Sequence, residues 1–229
     1  MNLPNAVTAA RIAVTPLIAW LPLAPSSALR LAAFVLFVVA AVTDYVDGRL
    51  ARSRKQETDL GRLLDPLADK LLLVATIIPM YILMRPSAQS SAPWPQKSLE
   101  NVLPFHTPFG DVGLTWWIVA VVLGRELFMT IFRQAAARRG VVIAAIGPAK
   151  WKTGFQSIWV GSAYFWFFAA TYAATRNWDS PAWTGFADFN GLVGVSTMIG
   201  SLGLTLYSLA LYLRTYGRVF TGTPVRGRS

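Results

Sequence analysis

Long stretches of sequence without a charged side chain constrain this chain more than any other feature. Residues 153–175 and 189–213 run for 23 and 25 positions without Asp, Glu, Lys or Arg, and residues 12–29 run for 18. A helix needs about 20 apolar residues, each rising about 1.5 Å, to cross the hydrocarbon core of a bilayer. These blocks therefore predict an all-α integral membrane protein.

Shorter charge-free runs lie between the long blocks, at residues 31–43, 71–84 and 112–124. They cross a bilayer only if the spans extend into the charged residues that flank them. Six spans result, and a single membrane-embedded catalytic domain over residues 1–229 is the simplest organisation. The predicted spans are residues 9–26, 31–53, 64–84, 113–132, 154–175 and 190–213.

Composition limits the chemistry that the chain can perform. Of its 229 residues 54% are hydrophobic and 14% are charged, against about 25% charged in soluble domains. It has no cysteine and one histidine, which excludes thiol catalysis, thiolate metal sites and histidine-rich metal sites. The formal net charge is +10. In an apolar chain this excess favours anionic membrane lipids or phosphorylated substrates as partners, and not nucleic acid.

Basic residues are distributed unevenly between the predicted loops. The stretches after spans two, four and six are rich in them, whereas the opposite loops hold only Arg30, Arg85, Lys97 and Arg176. Because cytoplasmic loops carry the excess of Lys and Arg, we expect the two basic loops and both termini in the cytoplasm. The expected setting is a multi-pass protein of a bacterial inner membrane, with its active site facing the cytoplasm.

Two segments between the spans carry further expectations. The external segment 85–112 is polar and rich in Pro and Ser, so we expect it to be irregular and His106 to be a solvated loop residue. The segment 133–152 is basic and partly apolar. We expect it to lie along the cytoplasmic interface as an amphipathic helix.

Four of the eleven acidic residues fall at the ends of predicted spans. Asp44 and Asp47 lie in the cytoplasmic half of span two, and Asp65 and Asp69 lie at the cytoplasmic start of span three. A single Asp inside a bilayer costs about 2.5–3.5 kcal/mol on insertion scales. The i,i+3 and i,i+4 spacings put each pair on one helix face. Four carboxylates are therefore expected to converge where the two antiparallel helices meet.

The spacing of these carboxylates leaves three explanations open. They form a metal centre, an ion or proton pathway, or a set of structural salt bridges with nearby arginines. Mg²⁺ prefers carboxylate and water oxygens, and two divalent ions would balance four carboxylates. Four acids near one leaflet fit a metal centre better than the other two explanations.

Small residues and an arginine accompany the carboxylates. Gly48 and Ala51 follow the first pair, and Gly61 precedes the second. Small side chains allow a flat ligand to approach the backbone, although they also serve close helix packing. Arg52 can offer a forked set of donors to a phosphate.

Together these residues form a long pattern. It reads Asp44-x-x-Asp47-Gly48-x-x-Ala51-Arg52, then eight residues, then Gly61-x-x-x-Asp65-x-x-x-Asp69. The pattern resembles the signature of the CDP-alcohol phosphotransferase family at every specified position, without a change in spacing. The six predicted spans are also similar to the membrane domain of that family, so the resemblance covers nearly the whole chain.

The resemblance implies an enzyme that displaces CMP from a CDP-linked lipid with an alcohol. In such an enzyme Asp44, Asp47 and Asp65 would be ligands of two Mg²⁺ ions, or of Mn²⁺ in their place. Asp69 would also lie at the metal centre and would be the base that activates the attacking hydroxyl. The cytidine diphosphate would be held by Gly48, Ala51, Arg52 and Gly61.

The start of the chain also belongs to the expected lipid site. Asn5 and Thr8 lie where span one begins, at the same cytoplasmic level as the carboxylates. We expect both to contact the head group of the CDP-lipid. Capping of the first helix is the alternative role for these two residue types.

Shorter segments resemble the branch of the family that makes phosphatidylglycerol phosphate. They include residues 2–5, 65–70, 124–126 and 150–153. The likeness implies CDP-diacylglycerol and sn-glycerol 3-phosphate as substrates, in phospholipid biosynthesis. The resemblance to this family also implies a homodimer.

Three basic residues in or beside these segments are candidates for binding the acceptor phosphate. They are Arg125, Lys150 and Lys152, and the neighbouring Glu126 would pair with a basic residue and orient it. The alternative is that these charges serve only topology and lipid contact. Two other functions stay open: a cardiolipin synthase or related transferase with a different alcohol, and more remotely a cation or proton transporter.

Overall fold

The computed structural model describes residues 3–54, 59–85, 94, 96–141, 143, 147–178 and 180–217, without the side chains of residues 3–5, 45–54, 59–63, 65 and 148–150. Six α-helices account for most of this part, and it contains no β-strand beyond one isolated bridge between Phe105 and Val112. The helices are α1 (Leu3–Trp20), α2 (Ser27–Arg54), α3 (Asp59–Leu83), α4 (Trp116–Ala137), α5 (Gly147–Arg176) and α6 (Pro181–Tyr216).

The all-helical class is confirmed for the described residues, and each predicted span overlaps one helix. Four helices, α1, α2, α3 and α6, are long and apolar enough to cross a membrane. The count of six spans and the orientation of the chain stay predictions. Helix α6 begins nine positions before the predicted span, because Asp188 does not interrupt it.

The predicted interfacial helix over residues 133–152 is wrong for the described residues. Residues 133–137 are the end of α4, and residues 147–152 are the start of α5. Between them the chain turns at Gly140, whose φ is +75°. The N–H groups of Gly140 and Val141 donate to the carbonyls of Ala137 and Ala136, both at 3.0 Å. This is a Schellman ending, in which glycine adopts the left-handed conformation at low cost.

The chain divides into two compact units. The first unit comprises Met1–Thr115 and Trp159–Val195, and the second comprises Trp116–Ile158 and Ser196–Ser229. The expectation of a single domain stays a prediction.

In the first unit α1 packs against α2 and α3. Tyr164 on α5 is fully buried, and its hydroxyl lies 3.2 Å from the carbonyl oxygen of Ile18 and 3.3 Å from that of Ala75. Its ring also contacts Phe37 of α2. One side chain thus joins four helices, with its polar atom satisfied in an apolar core.

Arg30 is a structural cation at the start of α2. The distribution of basic residues along the sequence predicted that Arg30 lies in an external loop. Its side chain is instead fully buried. Nε donates to the carbonyl of Pro22 at 3.0 Å, and the two terminal nitrogens bind the carbonyl of Ser98 and the side chains of Thr171 and Asn101. A buried charge is tolerated when its donors are satisfied in this way.

The segment that precedes α4 packs tightly against α6 through two glycines. A Cβ at Gly191 would lie 1.7 Å from the carbonyl oxygen of His106, and one at Gly194 would lie 2.3 Å from the ring of Phe105. Trp166 of α5 donates to the carbonyl of Pro104 at 2.8 Å. The described end of segment 85–112 is therefore a packed element of the first unit.

His106 is not the solvated residue that the sequence suggested. Its Nδ1 lies 3.0 Å from Asp111 Oδ1, and its Nε2 lies 3.9 Å from Asp188 Oδ1. Asp111 also accepts hydrogen bonds from Lys97 at 2.6 Å and from the indole of Trp94 at 2.8 Å. The expectation was wrong because these partners are brought together only by the loop and by the early start of α6.

This cluster predicts an acid-sensitive contribution to stability. Burial raises the pKa of Asp111, but hydrogen bonds from Lys97, His106 and Trp94 and the charge of Lys97 outweigh it, so the pKa lies below its usual 3.8. A depressed carboxylate pKa stabilises the fold above the unfolded-state value, and this stabilisation is lost as the pH falls through the folded-state pKa. We expect Asp111→Asn to lower stability by about 1–3 kcal/mol near neutral pH.

The measurement is the thermal unfolding midpoint of both proteins in detergent between pH 6 and about pH 3. The difference between them is expected to shrink below pH 3.8. Glu100→Gln, which removes an exposed carboxylate, is the control and should change little. A difference that does not depend on pH would contradict the proposed role of the charge.

The second unit has its own small core. Met129, Phe132 and Tyr212 are buried together, and Tyr212 lies in α6. The guanidinium of Arg133 lies 5.6 Å from the centre of the Tyr212 ring, and its Nη2 is 3.3 Å from the Tyr212 hydroxyl. Gly200 makes room for Phe155, since a Cβ there would lie 2.6 Å from that ring.

Candidate functional site

One arginine in the first unit joins two of the predicted site aspartates. Nη1 of Arg11, on α1, lies 2.6 Å from Oδ1 of Asp44 on α2 and 3.7 Å from Oδ1 of Asp69 on α3. The structure therefore places two carboxylates from different helices within reach of the same nitrogen atom.

The helix bounds explain why these residues meet. Asp44 lies toward the end of α2 and Asp69 toward the start of α3, and α1 packs against both helices. Thr8 lies one turn before Arg11 on α1, on the same face, and is buried. Thr8 therefore lies beside Arg11, and its contact with the lipid head group stays a prediction.

The other predicted residues of this site lie on the same three helices. Asp47, Gly48, Ala51 and Arg52 are positions of α2, Gly61 and Asp65 are positions of α3, and Asn5 is a position of α1. Their side chains lie outside the described residues. Their predicted roles stay predictions.

The two described carboxylates are chemically suited to a hard cation. The side chains of Asp44 and Asp69 are 51% and 62% exposed, whereas that of Arg11 is only 3% exposed. Carboxylate oxygens open to solvent are the donors that Mg²⁺ prefers. Among the residues with described side chains no cluster of three acidic or histidine ligands occurs, but Asp47 and Asp65 are not among them.

Arg11 is also suited to an anion. Its Nε is buried and has no hydrogen-bond partner among the described residues. A buried donor without a partner costs about 1–3 kcal/mol, which an acceptor oxygen of a ligand would remove. The residues present therefore fit a metal and a phosphate side by side.

Arg11 is the site residue that the sequence interpretation did not assign. It carries the charge immediately before the 18-residue charge-free block of the first span. A buried cation in a membrane helix generally pairs with an acid on a neighbouring helix. That rule, applied to α1, would have pointed to the aspartates of α2 and α3.

The second unit contains a separate group of charged residues. Arg125 and Glu126 are neighbours on α4, and Lys152 lies near the start of α5. Arg125 Nη1 donates to Glu126 Oε1 at 2.7 Å, and Lys152 Nζ binds the same oxygen. Arg125 Nη2 lies 3.1 Å from the hydroxyl of Ser208 on α6.

This geometry confirms the pairing role expected of Glu126. Arg125 and Lys152 are both buried, with 8% and 6% of their surface exposed. One carboxylate between two cations leaves a net positive charge, and Arg125 Nε has no hydrogen-bond partner among the described residues. The side chain of Lys150 lies outside them. The structure thus brings two of the three predicted phosphate-binding residues together.

The sequence is similar to those of known proteins. A family model described as CDP-alcohol phosphatidyltransferase matches residues 1–179. A Bacillus subtilis protein named CDP-diacylglycerol--glycerol-3-phosphate 3-phosphatidyltransferase is 34% identical over 173 residues, which cover 70% of this chain and 75% of that protein. A rice protein named cardiolipin synthase (CMP-forming) is 28% identical, over 96% of this chain and 58% of that protein.

A Mycobacterium tuberculosis protein named probable phosphatidylglycerophosphate synthase is 32% identical over 163 residues. The match covers 70% of this chain and 64% of the length of that relative. The family model spans well over half of the chain and includes both Asp44 and Asp69. The chain therefore belongs to the CDP-alcohol phosphatidyltransferase family.

Proposed function

We propose that this chain transfers the phosphatidyl group of CDP-diacylglycerol to sn-glycerol 3-phosphate, with phosphatidylglycerol phosphate and CMP as products. The observation that carries the proposal is the meeting of Asp44 and Asp69 at Arg11. Arg11 brings together the first and the last aspartate of the pattern that resembles the signature of the transferase family. The names of the B. subtilis and M. tuberculosis relatives support this choice of substrates.

The four aspartates of the motif would hold two Mg²⁺ ions, or Mn²⁺ in their place. When bound, such ions neutralise charge on a diphosphate and polarise a hydroxyl that attacks it. Arg11 binds one oxygen of Asp44, and about half of the Asp44 side chain stays exposed. A residue that binds a metal ligand in this way orients the ligand and tunes its basicity.

Asp69 would act as the base. As the hydroxyl oxygen of the acceptor forms its bond to the phosphorus of the lipid phosphate, the bond to CMP breaks and the hydroxyl proton passes to the Asp69 carboxylate. Its side chain is exposed enough to be reached by an alcohol from solution. The cytidine diphosphate of the lipid would lie against Asn5, Thr8, Gly48, Ala51, Arg52 and Gly61.

The acceptor phosphate would bind to Arg125, Lys150 and Lys152. Glu126 holds the first and the last of these side chains in place, and the net charge of the three described groups is positive. Lys152 has further N–H donors beyond the one directed at Glu126. A phosphate dianion is a natural partner for such a group.

Replacement of Lys152 by glutamine separates acceptor binding from general charge. We expect the KM for glycerol 3-phosphate to rise about 10- to 100-fold, the value of a lost charge-assisted hydrogen bond of about 1.5–3 kcal/mol. The KM for CDP-diacylglycerol should change less than about twofold. Arg214→Gln, which removes an exposed charge from the same unit, is the control. Equal effects on the two KM values would argue against a specific acceptor site.

A substitution of Arg11 tests whether its contacts with Asp44 and Asp69 contribute to activity. Arg11→Met is expected to lower kcat about 10- to 100-fold, as loss of an outer-shell partner of a metal ligand does, and to raise the Mg²⁺ concentration needed for half-maximal activity. Arg11→Lys should restore part of the activity. The matched control is Arg85→Gln, an exposed arginine of the same unit. Unchanged activity and metal dependence in Arg11→Met would contradict this role.

The proposal includes a topology. The six helices would each cross the membrane, with the aspartates and the two described ends of the chain on the cytoplasmic side of a bacterial inner membrane, in contact with anionic lipids. A homodimer is proposed on the resemblance to the family.

The second candidate is a CMP-forming cardiolipin synthase, favoured by the likeness to the rice protein of that name. Such an enzyme uses phosphatidylglycerol as the alcohol. Both reactions release CMP, so the identity of the acceptor distinguishes them.

The deciding experiment is CMP release by purified protein in detergent with CDP-diacylglycerol and Mg²⁺. Glycerol 3-phosphate, phosphatidylglycerol, serine and inositol phosphate are compared as acceptors. Release that depends on glycerol 3-phosphate and is abolished by a chelator is the expected result. Release only with another alcohol would overturn the acceptor assignment, and no release by folded protein with any alcohol would overturn the transferase proposal and favour a transporter.

A further inference from the structure

An aromatic groove of about 690 Å³ lies in the first unit, between the end of α5 and the start of α6. Phe165, Ala169 and Tyr172 line it from α5, and Trp178 and Trp183 line it from the turn and from α6. Its volume is in the range of sites that hold small molecules.

The groove is far from the candidate active site along the helices of the unit. Thr171, on the stretch of α5 that lines the groove, contacts Arg30 at the start of α2. Asp44 lies 14 residues further along α2, which is about 21 Å at 1.5 Å per residue. The groove therefore does not belong to the site formed by Asp44 and Asp69.

Contacts within the protein fix the side chains that line the groove, so the groove is preformed. Helix α5 ends with Asn177 at a φ of +50°, and the N–H of Trp178 donates to the carbonyl of Ala173 at 3.0 Å. This Schellman ending turns the chain back, so that the Trp178 ring meets Tyr172 edge to face, with 5.4 Å between ring centres. Trp183 stacks on Trp166 at 5.9 Å with 7° between the planes.

The start of α6 is fixed in the same way. Ser180 caps the helix, since its hydroxyl accepts a hydrogen bond from the N–H of Trp183 at 3.2 Å. Pro181 occupies the first helical position, where the missing N–H costs nothing. Ala169 and Ala182 line the groove with small side chains. Because the side chains that line the groove are already fixed, they lose little conformational entropy when an apolar chain enters it.

A basic residue, Arg176, lies beside the groove. Arg176 is exposed, and its guanidinium lies 5.4 Å from the centre of the ring of Tyr172, a wall residue. Asn177 and Ser180 also line the groove and add polar groups to it. An apolar groove with the cation of Arg176 beside it matches a ligand that has an aliphatic chain and an anionic head group. A basic residue near an anionic lipid surface contributes about 1 kcal/mol.

We propose that this groove binds one acyl chain of an anionic phospholipid, whose phosphate pairs with Arg176. The helices that form the groove belong to a chain with four candidate membrane-spanning helices, including α6 itself. Lipid is therefore the amphiphile that surrounds the site. The proposal is independent of the reaction assigned to the aspartates.

Tryptophan fluorescence provides the test, because Trp178 and Trp183 line the groove. Delipidated full-length protein is placed in nanodiscs of unlabelled phosphatidylcholine with increasing fractions of phosphatidylglycerol or phosphatidylcholine that carry brominated acyl chains. Brominated phosphatidylglycerol should quench at an about fivefold lower mole fraction than brominated phosphatidylcholine, which is 1 kcal/mol converted to a ratio. Trp183→Phe should remove part of this preferential quenching. Equal quenching by the two lipids would overturn the proposal.

Two pairs of variants test the parts of the site separately. Arg176→Gln should abolish the fivefold preference, whereas Arg85→Gln, a change of the same kind at another exposed arginine, should retain it. Ala182→Leu should fill the groove and weaken quenching by both lipids, whereas Ala120→Leu, an exposed position of α4, should not. Retained preference in Arg176→Gln, or unchanged quenching in Ala182→Leu, would overturn the assignment. All four positions are exposed, so each variant is expected to fold.

Discussion

Replacement of Asp69 by asparagine is expected to lower CMP release by at least about 10³-fold while binding of CDP-diacylglycerol changes little. Loss of a general base alone typically costs 10²- to 10⁴-fold. Asparagine keeps the shape of the side chain and one oxygen donor, but it cannot accept the proton of the attacking hydroxyl. Turnover is measured by CMP release, and binding by equilibrium titration with radiolabelled CDP-diacylglycerol.

The outcome separates three roles of Asp69. Loss of turnover with binding retained supports a base. Loss of both would make Asp69 chiefly a metal ligand, and substantial turnover would remove it from the mechanism. Glu100→Gln is the matched control, because it removes one exposed carboxylate from the same unit, at the described 3₁₀ turn Gln96–Glu100.

Replacement of Arg30 by methionine is expected to be the most destabilising single change in the described part of the first unit. Methionine fills much of the same volume, but the carbonyls of Pro22 and Ser98 and the side chains of Thr171 and Asn101 lose a charged donor. Hydrogen bonds to a charged group contribute about 1.5–3 kcal/mol, and each acceptor left unsatisfied adds a further cost. We expect a loss of about 3–5 kcal/mol in the free energy of unfolding.

Denaturant unfolding in detergent, followed by tryptophan fluorescence, measures this loss. Thr171→Val is a milder variant that removes one of the partners and should cost about 1 kcal/mol. Arg85→Gln, at an exposed arginine, should cost less than about 0.5 kcal/mol. A similar stability of Arg30→Met and Arg85→Gln would contradict the structural role of Arg30.

The sequence was sufficient to predict the helices and their approximate positions. Blocks such as 153–175 carry no charge and are long enough to span a bilayer, so length and hydropathy alone identify them. Helix ends were less predictable. The start of α6 at Pro181 and the turn at Gly140 depend on local capping geometry that hydropathy does not report.

The sequence was sufficient to predict the aspartates of the candidate site, but not the arginine that binds them. Asp44 and Asp69 share a spacing pattern with Asp47 and Asp65, and helix periodicity is enough to group such residues on faces. Arg11 was missed as their partner, because periodicity relates residues within one helix and says nothing about which helix packs beside it. The packing of α1 on α2 and α3 supplies that information.

The sequence by itself determined that this chain is helical, apolar and equipped with a motif of carboxylates and small residues, because these properties depend on local composition and spacing. Tertiary structure decided which distant polar groups meet. It buried Arg30 among four acceptors and placed His106 between Asp111 and Asp188. It also left an aromatic groove beside Arg176. Contacts between residues far apart in sequence arise only from packing, since a buried polar group is stable only where a partner is brought to it.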